Sequence, residues 1–234
     1  MAAASPPPRF HRPWHRLVWR VLEVLNADLL ASANCYFGGG TRIALELGEF
    51  RESVDVDFLC SDRDGYRTLR NTIGHNTLGE ILVGDYDLLR EVRADLYGIR
   101  TFLRVDERPV KFEIISEGRI PLTGAEVVPF PVQVLDRTSC IAEKLLAHAD
   151  RGRDESTHSR DLIDLAVMAG SWPDEHVRAA MVLAESAYGA AVRRELADGL
   201  SRFEDETHRR GCLEALSVKA TQALGRGLRA LREP

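Results

Sequence analysis

From Pro13 to about Ala31 the apolar residues Leu17, Val18, Val21, Leu22, Val24, Leu25 and Leu29 recur at helical spacing, which predicts one helix. Cys35-Tyr36-Phe37 is short and apolar and predicts a strand running into three glycines, Gly38, Gly39 and Gly40. Thr41 to Leu47 suits a short helix stopped by Gly48. The run VDVDFLC (54–60) alternates and predicts a strand. Residues 62–83 begin helical and turn irregular. Residues 86–116 alternate well enough for two or three antiparallel strands, with Pro109 opening the last, where a missing donor is tolerable. Pro121, Pro129 and Pro131 mark 119–135 as a connecting loop with a short strand. From Asp136 the pattern becomes helical, near 136–150, 159–169, 173–187, 189–204 and 208–231, with no strand left. The expected organisation is a disordered Ala/Pro-rich tail (1–8), an α/β domain (9–134) and an all-helical domain (135–234), an α+β chain.

Alternation over 53–58 sends Val54, Val56 and Phe58 to the core and leaves Ser53, Asp55 and Asp57 facing a cleft or solvent. Two carboxylates two residues apart on one strand face can share a divalent ion, and hard oxygen ligands suit Mg²⁺, which keeps waters and takes substrate phosphates as its other ligands. Such sites usually take a third carboxylate from a neighbouring strand. In VKFEII, Val110, Phe112 and Ile114 form the apolar face and leave Lys111 and Glu113 on the other. A merely solvated strand face would look the same, so the glycines weigh in the choice. Glycine lets backbone amides approach a ligand closely, and a helix start beyond it offers unpaired N–H groups and a dipole that favours anions. Thr41 could add a hydroxyl. No Gly-Lys-Ser/Thr follows, so this is not a Walker A loop, nor is it the dinucleotide fingerprint. Read together, the glycine turn holds a triphosphate and the carboxylates hold the metal that bridges it to the attacking group.

Composition adds limits. Hydrophobic content of 44% and charged content of 29% describe an ordinary globular protein. No apolar run approaches the ~20 residues that span a bilayer, and the N-terminus lacks a secretory pattern, so a cytoplasmic protein without membrane contact is expected. The net charge of −5 argues against a generic nucleic-acid coat protein. Residues 1–20 nevertheless carry Arg9, Arg12, Arg16 and Arg20 and no acid, a local surplus that could meet phosphate or simply water. The cysteines Cys35, Cys60, Cys140 and Cys212 have no metal-ligand spacing and read as small buried apolar side chains. Of 31 basic residues only Lys111, Lys144 and Lys219 are lysine. Lys144 lies in the apolar run IAEKLLA, where a mobile point charge suits a triphosphate better than a surface slot that this chain would fill with Arg. Asp161 has a structural explanation beside Ser159, a candidate N-cap, and Arg160 with Asp164 reads as an i, i+4 pair. His148 and His158 read as surface or capping residues.

GGGT followed by RESVDVDF resembles the GG(T) and R-x-S-x-D-x-D signature of the polymerase-β-like nucleotidyltransferases. With AEKLLAHADRGRDESTHSRDLIDL at 142–165, it is similar to the AbiEii/AbiGii abortive-infection toxin branch over roughly residues 30–170. The resemblance implies a polymerase-β-like mixed sheet with flanking helices and a helical C-terminal half. It implies phosphate contacts from Gly39, Gly40 and Ser53, with Thr41 and Arg51 in the same nucleotide site. It implies Mg²⁺ on Asp55 and Asp57, a triphosphate contact from Lys144, and Asp161 completing the site. Glu113 stands where the broader superfamily places an acid and is a candidate to take the hydroxyl proton, although some members of the branch lack it. The resemblance further implies transfer of a nucleotide from an NTP such as ATP, in some cases to the 3′ end of tRNA, with neutralisation by a cognate antitoxin. Arg42, the third glycine and the 209–234 tail depart from the pattern. Two alternatives stay open: the same transfer to a small molecule or protein, and a non-catalytic module of the same fold that binds a nucleotide or a protein.

Overall fold

The computed structural model describes residues 8–84, 86–219 and 221–232. The expected tail at 1–8 lies outside them, apart from Pro8. Packing divides the chain into two units, one of Met1–Thr41 with Ser53–Leu135 and one of Arg42–Glu52 with Asp136–Pro234.

The first unit opens with helix α1 (Pro13–Glu23), whose proline at the first position loses no helical hydrogen bond. The sequence predicts one helix to Ala31, but the chain breaks and restarts as α2 (Ala27–Ser32). Asn26 is the cause: its side chain accepts the N–H of Leu29 and caps α2, while its own N–H donates to the Ile81 carbonyl. Then follow β1 (Cys35–Phe37), α3 (Gly39–Glu46), β2 (Val56–Cys60), α4 (Arg63–Asn71), β3 (Arg93–Ala94), β4 (Gly98–Val105), β5 (Arg108–Ser116), β6 (Gly124–Ala125) and β7 (Val134–Leu135). They form a seven-stranded sheet in the order β3-β4-β5-β2-β1-β7-β6. The β2–β5 and β1–β7 pairs are parallel and the others antiparallel. Alternation on β2 and β5 buries Val56, Phe58, Val110, Phe112 and Ile114 completely. Phe58 packs on Phe37 and Phe112, with ring centroids 5.5 and 6.1 Å apart, and Phe130 links Phe37 to Trp19 of α1. This apolar side leaves Asp57, Lys111 and Glu113 on the opposite, half-buried faces of β2 and β5.

The second unit contains α5 (Arg137–Arg151), α6 (Arg160–Ala169), α7 (Asp174–Tyr188), α8 (Ala191–Arg202), α9 (Glu206–Ala215) and α10 (Gln222–Ala230). The single helix expected over 208–231 is two, because Ser217 takes a positive φ and Thr221 caps α10 by accepting the Leu224 N–H. Segment 42–52, expected with the strands, groups with these helices. The buried Arg42 guanidinium stacks 4.8 Å over Trp172, and the Lys219 N–H donates to the Phe50 carbonyl. Arg42 Nη2 lies 2.7 Å from Glu46 Oε2, an ion pair whose angle makes no hydrogen bond. All four cysteines are free and buried. Among the described residues no helix is long and apolar enough to cross a membrane. The mixed sheet with its helical second half is an α+β fold, as the sequence leads one to expect.

Candidate functional site

In the α/β unit the glycine turn joins β1 to α3. The Gly38 N–H donates to the Asp57 carbonyl at 2.8 Å. Gly39 has φ +67°, and a Cβ there would lie 2.4 Å from Asp57 Oδ2 and 2.9 Å from its Cβ. The turn therefore rests directly on the Asp57 side chain, an approach only glycine permits. Helix α3 starts at Gly39, two residues earlier than the sequence suggests, which makes the N–H groups of Gly39, Gly40 and Thr41 first-turn donors without intrahelical partners. Buried Thr41 donates its hydroxyl to Ser53 Oγ at 2.8 Å, and the Ser53 N–H donates to Nε2 of buried His15 at 3.3 Å. Sequence reasoning passed over His15. Its spacing to Trp19 and Leu22 on the inner face of α1 was the available signal.

Ser53 and Asp55 precede the regular part of β2, and Asp57 lies within it; all three are half-buried. Across the parallel β2–β5 pair Asp57 stands in register with Glu113. The Glu113 carboxylate is engaged on both oxygens, by Arg100 Nε and Lys111 Nζ, each at 2.5 Å. Burial pushes this carboxyl up, but the hydrogen bonds from Lys111 and Arg100 outweigh it and hold the group ionised below its ordinary range. Burial works against the Lys111 charge too. Its bond to Glu113, aided by the charges of Asp57 and Asp55, overcomes that and keeps it cationic. Lys111 is thus a fixed positive charge in the field of three carboxylates, and the scarcity of lysine in this chain was the sequence signal for it.

The donor set suits a hard divalent cation. Asp55 and Asp57 offer carboxylate oxygens beside a turn whose amides can face an anion. Among the described residues no three His, Cys, Asp or Glu side chains converge on one metal position. Two carboxylates leave the remaining positions to water and substrate oxygens, which is how Mg²⁺ is commonly held.

Lys144, Asp161 and Arg51 gather in the helical unit instead. Asp161 and Asp164 lie three residues apart on α6, and Lys144 and Arg151 two turns apart on α5, so each pair shares a face. Lys144 Nζ lies 2.8 Å from both Asp161 Oδ1 and Asp164 Oδ2. Arg151 forks onto Asp161 at 2.7 and 3.0 Å, and Arg51 forks onto Asp164 at 2.6 and 2.7 Å. Asp164 is thus partnered by Arg51 and Lys144, not by Arg160, because its side chain is fully buried. Ser159 does occupy the N-cap position of α6, but its side chain makes no cap; it meets His208 at 3.3 Å. His148, expected at the surface, is buried and donates from Nε2 to the Glu195 carbonyl at 3.1 Å, and burial pushes its pKa down. His158 is exposed and ends the short 3₁₀ turn before α6 at a positive φ.

Burial pushes the Asp161 and Asp164 carboxyls up, but the neighbouring cations win and hold both below the usual range, Asp161 well below it. A carboxyl depressed in the folded state adds stability above its unfolded value of about 4, and that stability is lost as pH falls through the folded value. Urea midpoints measured from pH 6 down to pH 3 are expected to fall more steeply for the native chain than for Asp161→Asn. Parallel acid limbs would show that the network adds nothing.

A family model described as "Nucleotidyl transferase AbiEii toxin, Type IV TA system" matches residues 20–224. No curated protein matches the chain. Among solved structures, JHP933 from Helicobacter pylori aligns with 17% identity and a TM-score of 0.34, over 86% of this chain and 96% of that one. An antigenic nucleotidyltransferase-like protein from Paracoccidioides brasiliensis aligns with 13% identity and a TM-score of 0.36, over 92% of this chain and 93% of that one.

Proposed function

This chain belongs to the AbiEii nucleotidyl transferase toxin family of type IV toxin–antitoxin systems, and from that membership we propose that it moves a nucleoside monophosphate from an NTP to an acceptor hydroxyl at an RNA 3′ end, such as that of tRNA. The observation that carries the reading is the seat of Gly39 on the Asp57 carboxylate, which puts amide donors for an anion beside oxygen ligands for a cation. The acceptor hydroxyl attacks the α-phosphate of the NTP, and pyrophosphate leaves with the broken phosphoanhydride bond. Gly39, Gly40 and Thr41 offer amides to phosphate oxygens, and Ser53 is braced by Thr41 and His15 for the same role. Asp55 and Asp57 would hold Mg²⁺, which when bound supplies positive charge against the triphosphate. Glu113, kept ionised by Arg100 and Lys111, fixes Lys111 near the carboxylates and is a poor proton acceptor. Lys144, for which the resemblance implies a triphosphate contact, is buried in the helical unit and held by Asp161 and Asp164. Arg51 and Arg42 are buried, so an RNA contact leans on other arginines. A cognate antitoxin and a cytoplasmic setting belong to the same reading.

The test is a labelling assay with Mg²⁺, total RNA and each α-³²P NTP in turn. Native protein should label RNA, with Asp57→Asn reducing the rate by about 100-fold or more. Label resistant to RNase would move the acceptor to a protein or small molecule. Absence of both label and released pyrophosphate would leave a binding module.

A further inference from the structure

The first acid in the chain is Glu23, so the residues before it carry Arg9, Arg12, Arg16 and Arg20 and no carboxylate. Arg12, Arg16 and Arg20 follow one another at four-residue intervals, which aligns them along one side of α1 with a repeat of about 6 Å. Arg16 and Arg20 are exposed, while the neighbouring His15 and Leu17 are buried, so this stripe is the outer face. The β4–β5 hairpin adds to it. Its turn residues Asp106 and Glu107 both take positive φ, a tight reversal that brings Arg108 to the start of β5. The Arg108 guanidinium lies 5.2 Å over the half-buried Trp14 ring. Between helix and hairpin runs an open groove of about 490 Å³ lined by Pro13, Arg16, Leu17, Arg20, Asp106 and Arg108.

The charges in this groove do not cancel. Arg20 is paired with Asp106. Arg16 donates only to the carbonyls of Phe10 and His11, and Arg108 only stacks on Trp14; neither has a carboxylate partner among the described residues. Two uncompensated guanidiniums flank the groove in a chain whose net charge is −5. Guanidinium groups bind phosphate bidentately, and stacking on Trp14 fixes the Arg108 fork in advance. A regular row of cations beside an aromatic ring is the pattern used to track a single-stranded nucleic-acid backbone. His15, on the inner side of the same helix, accepts the N–H of Ser53, so the helix that carries the row also braces the start of the carboxylate strand.

We propose that the outer face of α1, with Trp14 and Arg108 of the hairpin tip, grips the sugar–phosphate backbone of single-stranded RNA. The inference rests on the RNA-acceptor reading above and assigns its contact surface. Both arginines are exposed and pair with no carboxylate among the described residues, so their replacement should leave the fold intact.

The experiment is fluorescence anisotropy of the full chain with a labelled 20-nucleotide single-stranded RNA across a salt series. Arg16→Ala/Arg108→Ala should weaken binding at least tenfold at low salt. It should also flatten the plot of log affinity against log salt by about 1.4, or about 0.7 for each lost phosphate contact. Arg16→Lys/Arg108→Lys should restore most of the salt slope, and Arg67→Ala, an exposed position on α4, should change nothing. Unaltered affinity and slope in the alanine pair would overturn the proposal, as would no RNA binding by native protein at 50 mM salt. Displacement of the RNA by an equal concentration of a polyglutamate peptide would overturn it in favour of an acidic protein partner. RNA labelling, measured separately, keeps the two readings apart. A chain that labels RNA but binds it independently of Arg16 and Arg108 retains the transfer reading and loses this one. A chain that binds through them and labels nothing does the reverse.

Discussion

Arg51→Ala is expected to destabilise the helical unit by about 3 kcal/mol, the lower end of the range for breaking a buried ion pair. Arg51 is 4% exposed and gives two short hydrogen bonds to Asp164, which is wholly buried. Without it Asp164 retains only Lys144, which it already shares with Asp161. The missing guanidinium also leaves a void beside Phe50, over whose ring it lies at 5.9 Å. Thermal unfolding should fall by roughly 10 °C on that scale. Arg51→Met/Asp164→Leu removes both partners together and should recover most of the loss, because the cost lies in stranding a charge rather than in lacking a pair. A double variant as unstable as the single one would show that the pair itself, and not the stranded carboxylate, supports the unit.

Gly39→Ala is expected to cut nucleotidyl transfer by about 100-fold or more while costing only about 1–2 kcal/mol in stability. Two effects act at this position. The backbone is left-handed, which any L side chain resists, and the new methyl would overlap the Asp57 carboxylate. Gly48→Ala separates them. Gly48 has φ +81°, and a methyl added there would meet nothing within 4 Å, so it incurs the same backbone strain with no carboxylate to displace. Both variants should lose stability, Gly39→Ala somewhat the more because of its added overlap with Asp57, and only Gly39→Ala should lose transfer. Equal activity in both would remove Asp57 placement from the account of the site.

The faces of the strands were legible because a two-residue period states which side chains share a face. Asp55 and Asp57 could be set apart from Val56 and Phe58 without knowing the partner strands, and Glu113 likewise on β5. The period could not say that Glu113 would be occupied by Arg100, since that pairing depends on the register of β4 with β5. The helical half was legible as helices but not as chemistry. Asp164 sits four residues from Arg160, and local spacing favours that pair, yet its partner is 113 residues away in sequence. Asn26 shows the same limit at smaller scale. Apolar periodicity runs through it, and what ends the helix there is a side-chain cap joined to a backbone bond with distant Ile81.

The grouping of segment 42–52 with the helices bears on how the chain matures as it is synthesised. Among the described residues every strand is complete once residue 135 has emerged, but Arg42, Phe50 and Arg51 then still lack the residues that enclose them. Trp172, Asp164 and Lys219 arrive later, and only then can segment 42–52 be enclosed. Contacts of such separation close late. A nascent chain stalled or cleaved after the sheet would expose an arginine-bearing apolar segment. The order of synthesis thereby defers the enclosure of segment 42–52 until the helices through Lys219 have been made.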